Sequence, residues 1–173
     1  HNALNANTTG AQNTAVGRLA LTANTTNSYN TAIGYKALTA NTGEYNTAVG
    51  NIALEDNTTG GANVALGAYA IKNNTTGDHN IGLGNDSLGT NTTGDQNIAI
   101  GHQALNTSNA DNNVAVGHQA MYANTTGSQN TAVGKGALGA NTTANNNTAV
   151  GWDALDANTT GASNTAVGAE ALS

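Results

Sequence analysis

Apolar residues recur along this chain in two short phrases set between polar stretches, and both phrases run through its whole length. The first is an Asn, three small or aliphatic residues and a Gly, as in Asn13-Thr14-Ala15-Val16-Gly17. It occurs ten times, closing at Gly17, Gly34, Gly50, Gly67, Gly84, Gly101, Gly117, Gly134, Gly151 and Gly168. These glycines lie 17 residues apart except for two steps of 16, which end at Gly50 and Gly117. The second phrase is an Ala-Leu pair, as at Ala3-Leu4, Ala20-Leu21 and Ala37-Leu38, with Ile71 and Met121 departing from Leu. Asn-Thr-Thr-Gly, as at Asn7 to Gly10, links the two. A period this short marks a solenoid rather than a globular enzyme. The consensus leaves no room for a linker or a second domain, so residues 1–173 read as one array.

Each phrase predicts an element. The fourth position of Asn13 to Gly17 and its copies is always Val, Ile or Leu, which fits a short strand. The second position is Thr in the outer copies and Val64, Ile81, Ile98 and Val114 in the middle, so it shares a face with the fourth by the period of two. That face is expected to point inward. The third position then points outward, and its small residues, Ala15, Ala32, Ala48, Ala65, Gly82, Ala99, Ala115, Ala132, Ala149 and Ala166, suggest a packing face for a neighbouring chain. The Ala-Leu stretch reads as a single helical or 3₁₀ turn or as a second strand, with propensity favouring the turn. Asn-Thr-Thr-Gly has turn chemistry, because Asn and Thr side chains bond nearby backbone groups and Gly accepts positive φ. No Asn-Gly dipeptide occurs, so strands are expected to pair in parallel between coils and not as hairpins within them.

The fold class that follows is all-β: a parallel β-solenoid of about ten 17-residue coils. Stacking at about 4.8 Å sets each residue over its counterpart and makes the column Asn13, Asn30, Asn46, Asn63, Asn80, Asn97, Asn113, Asn130, Asn147 and Asn164 a ladder. Such a ladder fixes register, since a slipped coil would bury an unpartnered polar group at about 1–3 kcal/mol.

Composition narrows the core. With no Phe, one Trp and 38% apolar residues, many of them Ala, the chain has material only for a thin, continuous interior. Low charge and abundant Asn, Thr and Gly also occur in disordered segments, but disorder does not keep an aliphatic residue in phase through ten copies. A net charge of −6 disfavours nucleic acid and anionic membrane as partners. No stretch approaches the roughly 20 apolar residues of a membrane-spanning helix, and no signal peptide is visible. The absence of cysteine leaves the redox compartment open. The array begins and stops within repeats, the look of an excerpt or a processed product, which is compatible with a lost signal sequence.

Catalytic chemistry finds no foothold: there is no cysteine, serine is sparse, and no histidine sits in a nucleophile or metalloprotease motif, so no enzyme activity and no cofactor are expected. His102, His118 and His1 share a column, where rings could stack or share a metal ion; no third ligand type recurs beside them, and a surface column is the plainer expectation. Asp78 and Asp95 align without the glycine-aspartate nonapeptide of calcium-binding rolls. Asn7, Asn24, Asn57, Asn74, Asn91, Asn124, Asn141 and Asn158 each open an Asn-x-Thr sequon, which would place a stripe of glycans along one edge; the same residues are also good turn formers. Tyr29, Tyr35, Tyr45, Tyr69, Tyr122 and Trp152 do not read as one column and are expected as scattered surface residues.

The phrases Asn-Thr-Ala-Val-Gly and Ala-Leu-x-Ala-Asn-Thr-Thr-Gly, with Gly34-Tyr35-Lys36-Ala37-Leu38, resemble the Asn/Thr/Gly-rich tandem repeats of microbial surface-fibre and phage tail-fibre-like proteins over the full chain. Asn-x-Ala-Val-Gly is more loosely similar to the head repeat of trimeric autotransporter adhesins, which are parallel β-rolls; the period here is longer and the Asn-Thr-Thr-Gly turn is an insertion. The resemblance implies an extracellular or cell-surface setting. The expectation is a structural subunit of a self-assembling fibre whose partner is itself, stacking end to end through open coils or side by side. Two other readings stand beside it: an ice-binding solenoid that orders water on rows of Thr, and the shaft of an adhesin or tail fibre.

Overall fold

A computed structural model describes residues 2–173. Ten three-residue strands, β1 (Thr14–Val16), β2 (Thr31–Ile33), β3 (Thr47–Val49), β4 (Val64–Leu66), β5 (Ile81–Leu83), β6 (Ile98–Ile100), β7 (Val114–Val116), β8 (Thr131–Val133), β9 (Thr148–Val150) and β10 (Thr165–Val167), form one sheet in chain order. Every neighbouring pair is parallel and in register, Thr14 beside Thr31 and Ala15 beside Ala32, and so on to Val150 beside Val167. The protein is a β-solenoid in which each repeat makes one coil. Ten coils at about 4.8 Å give a rod on the order of 50 Å long.

Hydrogen bonds along the axis are not confined to the strands. In the coil from Ala68 to Gly84, Ile71 donates to Ser87 O at 2.9 Å, Thr75 to Thr92 O at 2.8 Å and Ile81 to Asn97 O at 2.8 Å, all in the next coil. Tyr69 donates to Asn51 O at 2.9 Å and Gly84 to Leu66 O at 2.8 Å, both in the preceding one. Each coil is therefore bonded to both neighbours around its whole perimeter, which satisfies backbone groups that a three-residue strand alone would leave bare.

The Ala-Leu stretch is neither strand nor helix. It holds two successive reverse turns, seen in this coil as Ala70 N–H to Gly67 O at 3.4 Å and Asn74 N–H to Ile71 O at 3.3 Å. Its second and fourth residues have positive φ, 59° at Tyr69 and 49° at Ile71, and the same alternation recurs at Leu19 and Leu21 and at Ile52 and Leu54. A helical turn would need these residues in the right-handed region. The closing glycine of each strand also has positive φ, between 126° and 144° in all ten coils. In all but the last, Gly168, a side chain there would also strike the carbonyl group of the stacked glycine, as at Gly84 beneath Gly101. This double constraint accounts for the invariance of that glycine along the array.

The strands face the opposite way from expectation. The middle residues, Ala32, Ala48, Ala65, Ala99, Ala115, Ala132 and Ala149, are fully buried, with Ala166 nearly so, Gly82 buried and Ala15 partly buried. They line the core and form no outer packing face. Thr and Val on either side of them point out: Val16 is 55% exposed and Leu66 51%. The reason is space. The interior is filled by a column of Leu21, Leu38, Leu54, Ile71, Leu88, Leu105, Met121 and Leu138, all with no exposure. The strand packs so closely against this column that a β-carbon added at Gly82 would lie 2.6 Å from Ile71 Cγ1. Only Ala or Gly fits in that layer. The β-branched residues take the outer face, where they suit a pleated surface.

Candidate functional site

Polar residues complete the interior as two columns of Asn. Asn30, Asn46, Asn63, Asn80, Asn97, Asn113, Asn130 and Asn147 have no exposure, whereas Asn13 and Asn164 in the outermost coils are half-buried. This ladder is built differently from an amide-to-amide stack. The Oδ1 of each residue accepts the backbone N–H of the Asn one coil on, as Asn80 Oδ1 does from Asn97 at 3.0 Å. From Asn13 to Asn130 the Nδ2 donates to the turn carbonyl of the next coil, Asn80 to Gly94 O at 2.8 Å, whereas Asn147 Nδ2 is buried without a partner. Direct amide contacts are added at a few places, such as Asn97 Nδ2 to Asn80 Oδ1 at 3.2 Å.

The true amide-to-amide ladder runs through the sequon column. Asn74 donates to Asn57 Oδ1 at 2.7 Å and Asn91 to Asn74 Oδ1 at 2.9 Å, while the same Nδ2 groups also bond Gly77 O and Gly94 O within their own turns. Asn24, Asn57, Asn74, Asn91, Asn124 and Asn141 are fully buried, which closes them to glycosylation in the folded rod; Asn7 and Asn158, half-buried, carry the same turn bonds. Asn41, which opens no sequon, also belongs to this column, accepting from Asn57 Nδ2 at 2.6 Å. The two short coils disturb the ladder. Asn41 turns its Nδ2 to Gly43 O at 2.9 Å, and Asn24 Oδ1 is left without a partner; in the second short coil Ser108 replaces Asn and accepts from Asn124 at 3.1 Å.

Charged and aromatic residues sit on the outside. His102 and His118 stack as their column predicts, with ring centroids 5.2 Å apart and planes 20° from parallel. His1 lies outside the described residues. Among the described residues no three His, Cys, Asp or Glu side chains gather as a metal group. Asp78 and Asp95 serve the backbone: Asp78 Oδ1 accepts from Gly61 N–H at 2.6 Å and Asp95 Oδ1 from Asp78 N–H at 2.7 Å. Asp111 continues the run at 2.8 Å to Asp95 N–H. Lys36 and Glu55 form an ion pair of 2.8 Å. The hydrogen bond and charge of Glu55 hold the Lys36 pKa above its ordinary value. Tyr29 and Tyr45 do share a column, their rings stacked at 4.8 Å. The 16-residue step between them, across the first short coil, is the sequence signal of that pairing.

The widest feature is the outer face of the sheet. One row of aliphatic side chains, Val16, Ile33, Val49, Leu66, Leu83, Ile100, Val116, Val133, Val150 and Val167, runs its whole length on the axial repeat. The parallel row is Thr in β1–β3 and β8–β10 and aliphatic in β4–β7, so Val64, Ile81, Ile98 and Val114 widen the centre into a double row. No strand residue is charged. The strip is about 50 Å long and roughly 10 Å wide, on the order of 500 Å², at the upper end of what a monomer exposes. Among the described residues no helix is long and apolar enough to cross a membrane. No family model matches the chain, and no curated protein or solved structure matches it.

Proposed function

We propose that this chain is a structural subunit of a self-assembling extracellular or cell-surface fibre, in which rods associate side by side through the outer sheet face. One observation carries the reading: an uncharged aliphatic row on the outer face of ten consecutive strands at a single axial repeat, exposed in seven of them and half-buried at Val49, Leu83 and Val116. Burying it would contribute roughly 25 cal/mol per Å² of apolar surface removed from water. The partner that matches it is a second copy, because two rows with the same spacing stay in phase along their full length. A face near 500 Å² falls short of the roughly 800 Å² per partner of a stable complex, so a ten-coil rod associates weakly and a longer array more tightly. The function is mechanical continuity and surface coating, with no catalytic step.

Electron microscopy of the protein at high concentration tests this: laterally paired or bundled rods are expected, and loss of bundling in a Leu66→Asp, Ile100→Asp double variant. Dispersed single rods in both samples would overturn it. A second reading, ice binding, gains from the outward Thr column at Thr14, Thr31, Thr47, Thr131, Thr148 and Thr165, which stands on the strand face and not in a turn. The aliphatic break across β4–β7 interrupts that water-ordering surface. Thermal hysteresis in dilute solution without bundling would favour this second reading.

A further inference from the structure

Tyr29 and Tyr45 occupy equivalent places in consecutive coils, and both are held there by the same backbone. Their φ angles are 64° and 62°, so their side chains leave the main chain in parallel. Tyr29 N–H donates to Ala11 O at 3.1 Å and Tyr45 N–H to Ser28 O at 3.4 Å, each tying its residue to the preceding coil. The rings lie 5° from parallel with centroids 4.8 Å apart, in contact, yet they remain 48% and 58% exposed. Tyr35, Tyr69 and Tyr122 lie in other columns, and among the described residues no other tyrosine pair is stacked.

We propose that Tyr29 and Tyr45 form a site for oxidative cross-linking, at which the two phenols join as dityrosine and stitch one coil to the next. The chemistry requires a one-electron oxidant, supplied as hydrogen peroxide with a haem peroxidase. Each phenol loses one hydrogen atom, and together the two atoms reduce one peroxide to two molecules of water. The resulting phenoxyl radicals pair their spins in a new bond between a Cε of each ring, the carbon ortho to the oxygen. The hydrogen displaced from each of those carbons moves to its phenoxyl oxygen and restores both aromatic rings. The net change is loss of two hydrogens and gain of one carbon–carbon bond. Two features of the fold favour this outcome over coupling between molecules. The rings are already in contact, so the partner radical is present at a high effective concentration. Their exposure admits the oxidant, while the in-register backbone keeps them from separating.

The test is peroxidase and peroxide treatment of the dilute full chain, read by intact mass, blue dityrosine fluorescence and sequencing of the linked peptides. The expected product is a monomer lighter by two hydrogens whose cross-link joins Tyr29 to Tyr45. Tyr29→Phe and Tyr45→Phe, which keep the stacked ring and should keep the circular dichroism of the parent, should each cut the yield at least about tenfold. Tyr69→Phe should leave it unchanged. Equal yields in all variants, links through Tyr35, Tyr69 or Tyr122, or oxidised monomer without a link would overturn the proposal. Because the readout is a monomer product, it stands or falls separately from side-by-side assembly.

Discussion

A single buried asparagine in this rod does the work of several backbone bonds. Asn80 accepts from the Asn97 N–H, donates to Gly94 O, and passes its own N–H to Asn63 Oδ1. Replacing it by Ala orphans the Asn97 N–H inside the core and takes one of two donors from Gly94 O, which keeps Asn91 Nδ2 at 3.0 Å. At roughly 1–3 kcal/mol for one buried unpartnered group, Asn80→Ala should lose about 1–3 kcal/mol by denaturant titration, while Asn85→Ala on the surface stays within about 0.5 kcal/mol. Equal losses at both sites would contradict the role of the ladder. The Lys36–Glu55 pair gives a pH dependence of determined sign. The lysine pKa is raised in the folded chain from its ordinary 10.5, so its stabilisation is complete below that value and is lost as pH rises through the folded one. In thermal melts at alkaline pH the decline should be smaller in Glu55→Gln than in the parent, and an unchanged decline in that variant would refute the linkage.

At the scale of the element, the coil is the unit of design. A solenoid gains stability from each coil and its contacts with the next, so removal of one whole coil should shorten the rod without unfolding it. Deleting residues 68–84 joins Gly67 to Asn85 and leaves every remaining column intact. Circular dichroism should keep its strand signature with a modestly lower melting point. Deleting residues 68–79 instead puts the Asn and Leu columns out of phase and should abolish cooperative melting; a cooperative melt there would argue against column matching as the source of order. The strands, their parallel order and their register are legible in the sequence, since one apolar phrase recurs at fixed spacing. Which face is inside is not. Alternation places Thr14 and Val16 opposite Ala15, but parity carries no sign, and volume decides it: the Leu column leaves room only for Ala or Gly. The positive-φ turns are hidden for another reason. Ile52 and Tyr69 are residue types that seldom adopt that conformation, and stacked hydrogen bonds to the preceding coil hold them there. The sequon column misleads in the same way, because Asn-Thr-Thr reads alike as an exposed acceptor and as a buried turn.

For the whole molecule, the inversion of the strands changes where association belongs. The Ala column, small enough to admit a neighbour, is already spent on the core. The aliphatic strand residues that a hydrophobic pattern assigns to the core lie on the surface. A rod held internally by Asn amides, backbone bonds and a thin Leu column thus presents its larger β-branched side chains to whatever lies beside it. Sedimentation velocity across a wide concentration range, comparing the parent with the Leu66→Asp, Ile100→Asp variant, tests association through this face. Larger species that grow with concentration are expected in the parent, and a monomer with unchanged circular dichroism in the variant. A parent that stays monomeric at every concentration, or a variant that associates equally well, would contradict it.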